Sequence, residues 1–169
     1  YLIITIVSLI VIPNIDAQSY VLDPSQSIIN WKGYGEIGNF TQSGKIKCKE
    51  GSFNMAAGVI TEGTLVIDMR SIDHNDQKLE KHLKAKDFFA VKKYPTATIQ
   101  LLSGTDITAS GTLTMRGKTK DITMNIQKED NVDGQVKITG KLTIDRTNYD
   151  IKYNSSSYFQ NLGNYAIKN

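Results

Sequence analysis

The chain has 169 residues, 40% of them hydrophobic and 22% charged, which fits one globular domain with a real core and excludes a disordered or membrane-filling chain. Its net charge of +3 is too weak to argue for nucleic-acid binding, and it leaves open an anionic head group or a membrane surface. With 13 scattered Gly and 3 Pro, no collagen-like or low-complexity segment is present.

Residues Leu2 to Ile12 are apolar except for Thr5 and Ser8, and Pro13 follows. The run is shorter than the ~20 apolar residues that span a bilayer. It reads as the apolar region of a secretory signal cut after Ala17, although Ile15 is larger than the residue usual two positions before the cut. Residues 1–17 are therefore assigned to a signal peptide whose start is truncated, and 18–169 to a single domain. An uncleaved anchor or a buried strand is the alternative. The expected location is periplasmic or secreted. A single cysteine, Cys48, agrees with this, since it cannot form an internal disulfide. In Lys45-Ile46-Lys47-Cys48-Lys49 alternation sets Cys48 with Ile46 on the apolar face, so it reads as a small buried hydrophobe.

Strand patterns follow in order. Ile29 and Trp31 share one side of Ser27–Lys32, and Gly44–Ser52 is the next strand. Leu65, Ile67 and Met69 point inward from Gly63–Met69. Asp76 to Pro95 breaks the alternation. Leu79 and Leu83 sit four apart, on one face of a helix, with Asp73, Asn75 or Asp76 as N-cap and lysines on the flanks. Phe88 and Phe89 then read as a plug for some cavity, and Tyr94-Pro95 ends the insert. Alternation resumes at Ala97–Leu101, continues through Ile107, Ala109, Leu113 and Met115, and is strict over Asp121–Gln127. Asp133-Gly134 reads as a hairpin loop. Gln135–Asp145 places Val136, Ile138, Leu142 and Ile144 inward, with Gly140 marking a bend. Asn164–Asn169 starts a strand that stops abruptly, as if a closing strand were cut short.

Nearly every segment is thus a half-buried antiparallel strand. The fold class is all-β: a closed antiparallel barrel of about eight strands with one short helical insert.

The chemistry is sparse. Gly33-Tyr34-Gly35-Glu36-Ile37-Gly38 matches G-x-G-x-x-G, but a turn into a strand follows where dinucleotide binding needs a helix. His74 and His82, with Asp73, Asp76 and Asp87 nearby, fall short of a convergent metal set, and His82 is expected to hydrogen-bond within its own corner. No nucleophile elbow is present. Asp68, Asp121 and Asp145 fall on outward faces. No cofactor and no enzymatic activity are expected. Lys78, Lys81, Lys84, Lys86, Lys92 and Lys93 make a solvated helix face or, alternatively, a transient contact with an anionic membrane. Asn39-Phe40-Thr41 and Asn154-Ser155-Ser156 match the glycosylation pattern.

Four phrases resemble one family. Tyr20-Val21-Leu22-Asp23-Pro24-Ser25-Gln26-Ser27-Ile28-Ile29 looks like the opening strand of the YceI-like family. Leu79 to Phe89 with Tyr94-Pro95 resembles its "hL…DFF…yP" signature. Gly111 to Lys120 resembles its "G-x-L-T-x-R-G-x-T-K" hairpin, and Asp145-Arg146-Thr147-Asn148-Tyr149 its late "R-x-x-[FY]-G" corner. Asp121 departs from a frequent Pro, and Asp150 from the usual Gly of the corner. The resemblance implies an exported lipocalin-like barrel that holds a polyisoprenoid or isoprenoid-quinone lipid. The wall candidates are Ile29, Trp31, Leu65, Ile67, Leu83, Phe88, Phe89, Ile99, Leu113, Met115, Ile138 and Leu142, taken from the inward positions. An enzyme acting on a lipid or quinone through His82 and Asp87, or a structural, stress-related protein with a filled core, are the alternatives. The oligomeric state is left open, a dimer included.

Overall fold

Period-two alternation dominates the chain, and the computed structural model turns it into one antiparallel sheet. The structure describes residues 17–34, 41–130 and 135–153. The signal segment through Asp16, most of the G-x-G-x-x-G stretch, both glycosylation patterns, the Asp133-Gly134 turn and Asn164–Asn169 lie outside the described residues.

The strands are β1 (Gln18–Val21), β2 (Ile28–Tyr34), β3 (Thr41–Ala56), β4 (Val59–Asp68), β5 (Thr96–Gly104), β6 (Thr108–Met115), β7 (Lys118–Asp130) and β8 (Val136–Lys141). From β3 to β8 each pairs with the next. β1 and β2 lie end to end along the free edge of β3, β1 against Ser52–Met55 and β2 against Thr41–Lys47. Among the described residues β8 pairs with β7 alone, over Asn125–Asp130. The observed architecture is therefore a curled antiparallel sheet, a half-barrel.

Bulges drive the curl. The register slips at Lys49 in β3, between Cys48 and Glu50, at Thr61 in β4, opposite Asn54 and Met55, and at Leu102 in β5, between Leu101 and Ser103. An extra residue bends the strand and strengthens its twist. It also shifts parity, so Gly51, Phe53 and Met55 face the same way as Ile46 and Cys48. This strand runs well past the expected Gly44–Ser52.

The helix α1 spans Gln77–Lys84. Asp76 is its N-cap, accepting from the amides of Lys78 and Leu79 at 2.8 and 3.4 Å. Leu83 is buried and Leu79 half-buried, as the four-residue spacing requires. The insert leaves β4 and rejoins β5 where the Met69 amide donates to the Pro95 carbonyl, 2.9 Å. Phe88 and Phe89 follow the helix in a turn, their rings edge to face at 5.0 Å.

Three expectations are corrected. Ile107 is 70% exposed, because it sits in the β5–β6 turn, which the Thr105 amide closes onto the Thr108 carbonyl at 2.8 Å. The last strand ends at Lys141 rather than Asp145, and Gly140 is exposed on it. Asp68 and Asp145 are not plain surface: each caps a short 3-10 turn, Asp68 at Met69–Ser71 and Asp145 at Arg146–Tyr149.

Candidate functional site

The inward positions of all strands share the concave face and gather into two packed clusters. At the insert end Ile46, Ile67, Met69, Ile72, Ala97, Ile99, Leu113, Met115 and Ile122 meet Leu83, Phe88 and Val91 of the insert, and Tyr149 and Ile151 from beyond β8. At the other end Met55, Ile60, Ala109 and Ile126 pack together. Leu101 and Met124 touch both clusters and are only half-buried. Small and large positions mix along this row: Leu101 pairs with Gly63 and Gly111, while Phe53 opposite Gly63 and Ile122 opposite Gly111 continue it. Leu101 and Met124 thus form a half-buried waist between two filled ends.

The wall candidates divide along this line. Ile67, Leu83, Phe88, Ile99, Leu113 and Met115 are buried in the insert-end cluster, so they fill that end. Ile29, Trp31, Leu65, Phe89 and Leu142 pack against the same cluster but stay half-buried. Ile138 belongs to the other cluster, also half-buried. Leu101, Met124, Phe53 and Tyr20 were not among the candidates. Alternation could have supplied Leu101 and Met124. Phe53, stacked on Tyr20 at 5.0 Å, was hidden by the parity shift at the bulge.

Few polar groups reach the apolar face. His74 Nε2 meets Gln42 Oε1 at 2.7 Å, and the His74 ring lies 5.9 Å from that of Trp31. Trp31 Nε1 is buried without a hydrogen-bond partner. His82 sits between the rings of Tyr153 and Phe88, at 4.5 and 6.0 Å. Its Nε2 lies 3.9 Å from Asp87 Oδ2, within ion-pair range but too far for a hydrogen bond, so the expected corner bond is not made. The carboxylates held below their usual range lie elsewhere: Asp23 beside Ser25, Asp68 beside Arg70, Glu80 beside Lys84, and Asp150 beside Lys152 and Arg116. Burial pushes the Cys48 thiol up. Among the described residues no three His, Cys, Asp or Glu side chains gather as metal ligands. A separate open groove of about 330 Å³ runs along β3, β4 and β5, lined mainly by the outward side chains of Ser52, Asn54, Glu62, Thr64, Gln100 and Leu102.

A chain of this kind has counterparts among known proteins. The YceI-like domain model matches residues 20–166. The chain belongs to the YceI-like family. A UPF0312 protein of Vibrio cholerae is 30% identical to this YceI-like chain over 121 residues, 66% of the chain and 64% of the relative. The chain thus spans just under two thirds of that relative's length. Protein YceI of Escherichia coli is 38% identical over 64 residues, covering 36% of this chain and 34% of its own. Among solved structures, Burkholderia cenocepacia BcnA superposes with a TM-score of 0.65 at 21% identity, over 76% of this chain and 83% of that one. A polyisoprenoid binding domain from Saccharophagus degradans, implicated in plant cell wall breakdown, gives 0.54 at 15% identity, over 80% and 78%. At these identities the likeness speaks for the fold.

Proposed function

We propose that this YceI-like chain is an exported lipid carrier that holds a long isoprenoid-type chain in the apolar interior of its curled sheet. The sheet closes around the guest as a barrel. The protein works by binding, in the periplasm or outside the cell, after cleavage behind Ala17. The observation that carries the reading is the waist: Leu101 and Met124 remain half-buried on a face whose two ends are packed. Membership of a family that has a polyisoprenoid binding domain among its structural neighbours supports the choice of lipid.

The driving force follows from burial alone. Each methylene taken out of water contributes ~0.8 kcal/mol, so a tail of several prenyl units needs no polar anchor. Met and aliphatic surfaces adapt to such a flexible guest.

The test is the mass spectrum of protein recovered from the exported fraction, together with its organic-solvent extract. The expected result is a chain beginning at Gln18 with a co-purifying isoprenoid lipid. In Leu101→Trp, which adds a ring at the waist, the lipid is expected to fall at least severalfold. A protein that still carries the first 17 residues, or an extract without lipid, removes the corresponding half of the reading.

A further inference from the structure

The insert and the β6–β7 hairpin meet at the packed end of the sheet. Arg116 Nη2 donates to the Lys86 carbonyl at 2.9 Å, and the Tyr94 ring lies against Gly117, where an added Cβ would come within 3.0 Å of it. This junction gathers Lys86, Lys92, Lys93 and Lys118, with Lys120 one step along β7. All five are exposed, and among the described residues none makes an ion pair. Lys93 Nζ lies over the Tyr94 ring at 5.1 Å. Lys118 and Lys120 pair with Met115 and Leu113, so their stems leave the same face as those interior residues, at its rim.

The charge is lopsided along the molecule. Residues 67–96, 113–121 and 142–153, which build this end, hold twelve Lys and Arg against eight Asp and Glu, a surplus of four, while the whole chain carries +3. The other end neutralises its lysines locally: Lys128 reaches Asp106 at 3.8 Å and Lys137 reaches Glu129 at 3.0 Å. Among the described residues three acids stand near the rim: Asp87, turned toward His82, Asp121, paired opposite Thr112 on the convex face, and Asp150, held by Arg116 and Lys152.

We propose that this lysine rim docks the protein on an anionic lipid bilayer, with the insert end of the sheet against the head groups. The inference rests on the lipid-carrier reading: a guest that lives in a membrane must cross between bilayer and interior, and the lysines unpaired among the described residues lie at the end where the Phe88-Phe89 insert packs. A field of this kind acts within a Debye length, ~8 Å at physiological salt, so it holds the rim at the surface without inserting it.

The experiment is co-sedimentation of the full chain with vesicles of phosphatidylglycerol and phosphatidylcholine, against vesicles of phosphatidylcholine alone. Each lysine near such a surface contributes about a fivefold factor in partitioning. The expected result is binding to the anionic vesicles only. It should be lost by more than tenfold in the combined variant Lys86→Gln, Lys92→Gln, Lys93→Gln and Lys118→Gln, kept when the same four become Arg, and unchanged in Lys49→Gln with Lys137→Gln. Equal binding to both vesicle types overturns the proposal. So does an unchanged Gln variant, or retention on soluble heparin with no vesicle binding. Lipid extracted from the same preparations reads the interior separately: a loaded protein that ignores vesicles ends the docking proposal alone, whereas an empty protein that binds them ends the carrier reading alone.

Discussion

Gly44 is where a missing side chain admits two neighbours. A Cβ there would fall 2.0 Å from the Asp73 carbonyl oxygen and 2.8 Å from Trp31 Nε1. The Asp73 amide is tied to the Lys45 carbonyl at 3.0 Å, so the backbone on that side cannot easily retreat. Gly44→Ala is therefore expected to destabilise the fold by about 1–3 kcal/mol, the usual cost of overpacking. Urea unfolding followed by the emission of Trp31, the single tryptophan, reads both the midpoint and the disturbed ring. An unchanged midpoint would show that the loop carrying Asp73 gives way freely. Sequence reading met its limits at this scale. Gly44 was visible only as the start of a strand, because its neighbours come from 13 residues upstream and 29 downstream. Asp150 was visible as a departure from a glycine corner, and it does take the left-handed conformation that glycine favours, φ 62°. Its use is tertiary: its carboxylate holds Arg116 and Lys152. His82 was expected to be satisfied locally, and only the fold reveals Nε2 enclosed by rings, near Asp87 but without a hydrogen-bond partner among the described residues.

Elements were legible wherever one periodicity ran unbroken. β6 alternates half-buried and buried along its whole length, and Ile122 and Ile126 of β7 are buried as strict period two required. β3 was not, because the bulge at Lys49 inverts parity within the strand. The helix was found through Leu79 and Leu83, but three residues competed for its cap. Asp76 makes both capping bonds, while His74 Nδ1 accepts from the Asp76 amide at 2.9 Å. A helix of eight residues is marginal alone and depends on its cap and on the burial of Leu83. Asp76→Ala should cost about 1 kcal/mol, the ordinary price of losing such a cap. Asn75→Ala should be near neutral. Urea midpoints of the two variants decide it, and an Asn75 effect as large as that of Asp76 would mean the cap is shared.

For the whole molecule, alternation led to a closed all-β barrel with an apolar interior; the described residues form a curled sheet with one apolar side, and its closure is part of the proposal. What alternation could not foresee is how the last described segment folds back. Tyr149, 2% exposed, and Ile151 complete the core beside the start of β7, which among the described residues pairs with β6 and not with β8. Arg116 straps this segment down. It donates to the Asp150 carbonyl, to Asp150 Oδ2 at 3.0 Å, and to the Lys86 carbonyl of the insert. One guanidinium thus joins hairpin, insert and C-terminal segment, and acid should loosen it. Lys152 and then Arg116 hold the Asp150 carboxyl below its usual range. A carboxylate whose folded value is depressed favours folding fully above its unfolded value of ~3.9, and that contribution fades as pH falls through the folded value. Asp150→Asn keeps a residue that tolerates the left-handed backbone and removes the charge. Asp23 and Glu80 are also held low, so both proteins will weaken in acid. Their difference isolates the strap. The variant should unfold at lower urea than the parent near neutral pH, and the gap should close as the pH approaches about 3, below the usual carboxylate range. A gap that stays constant over that interval would mean that the Asp150 charge does not hold the segment, and that Arg116 grips it through the two carbonyls alone.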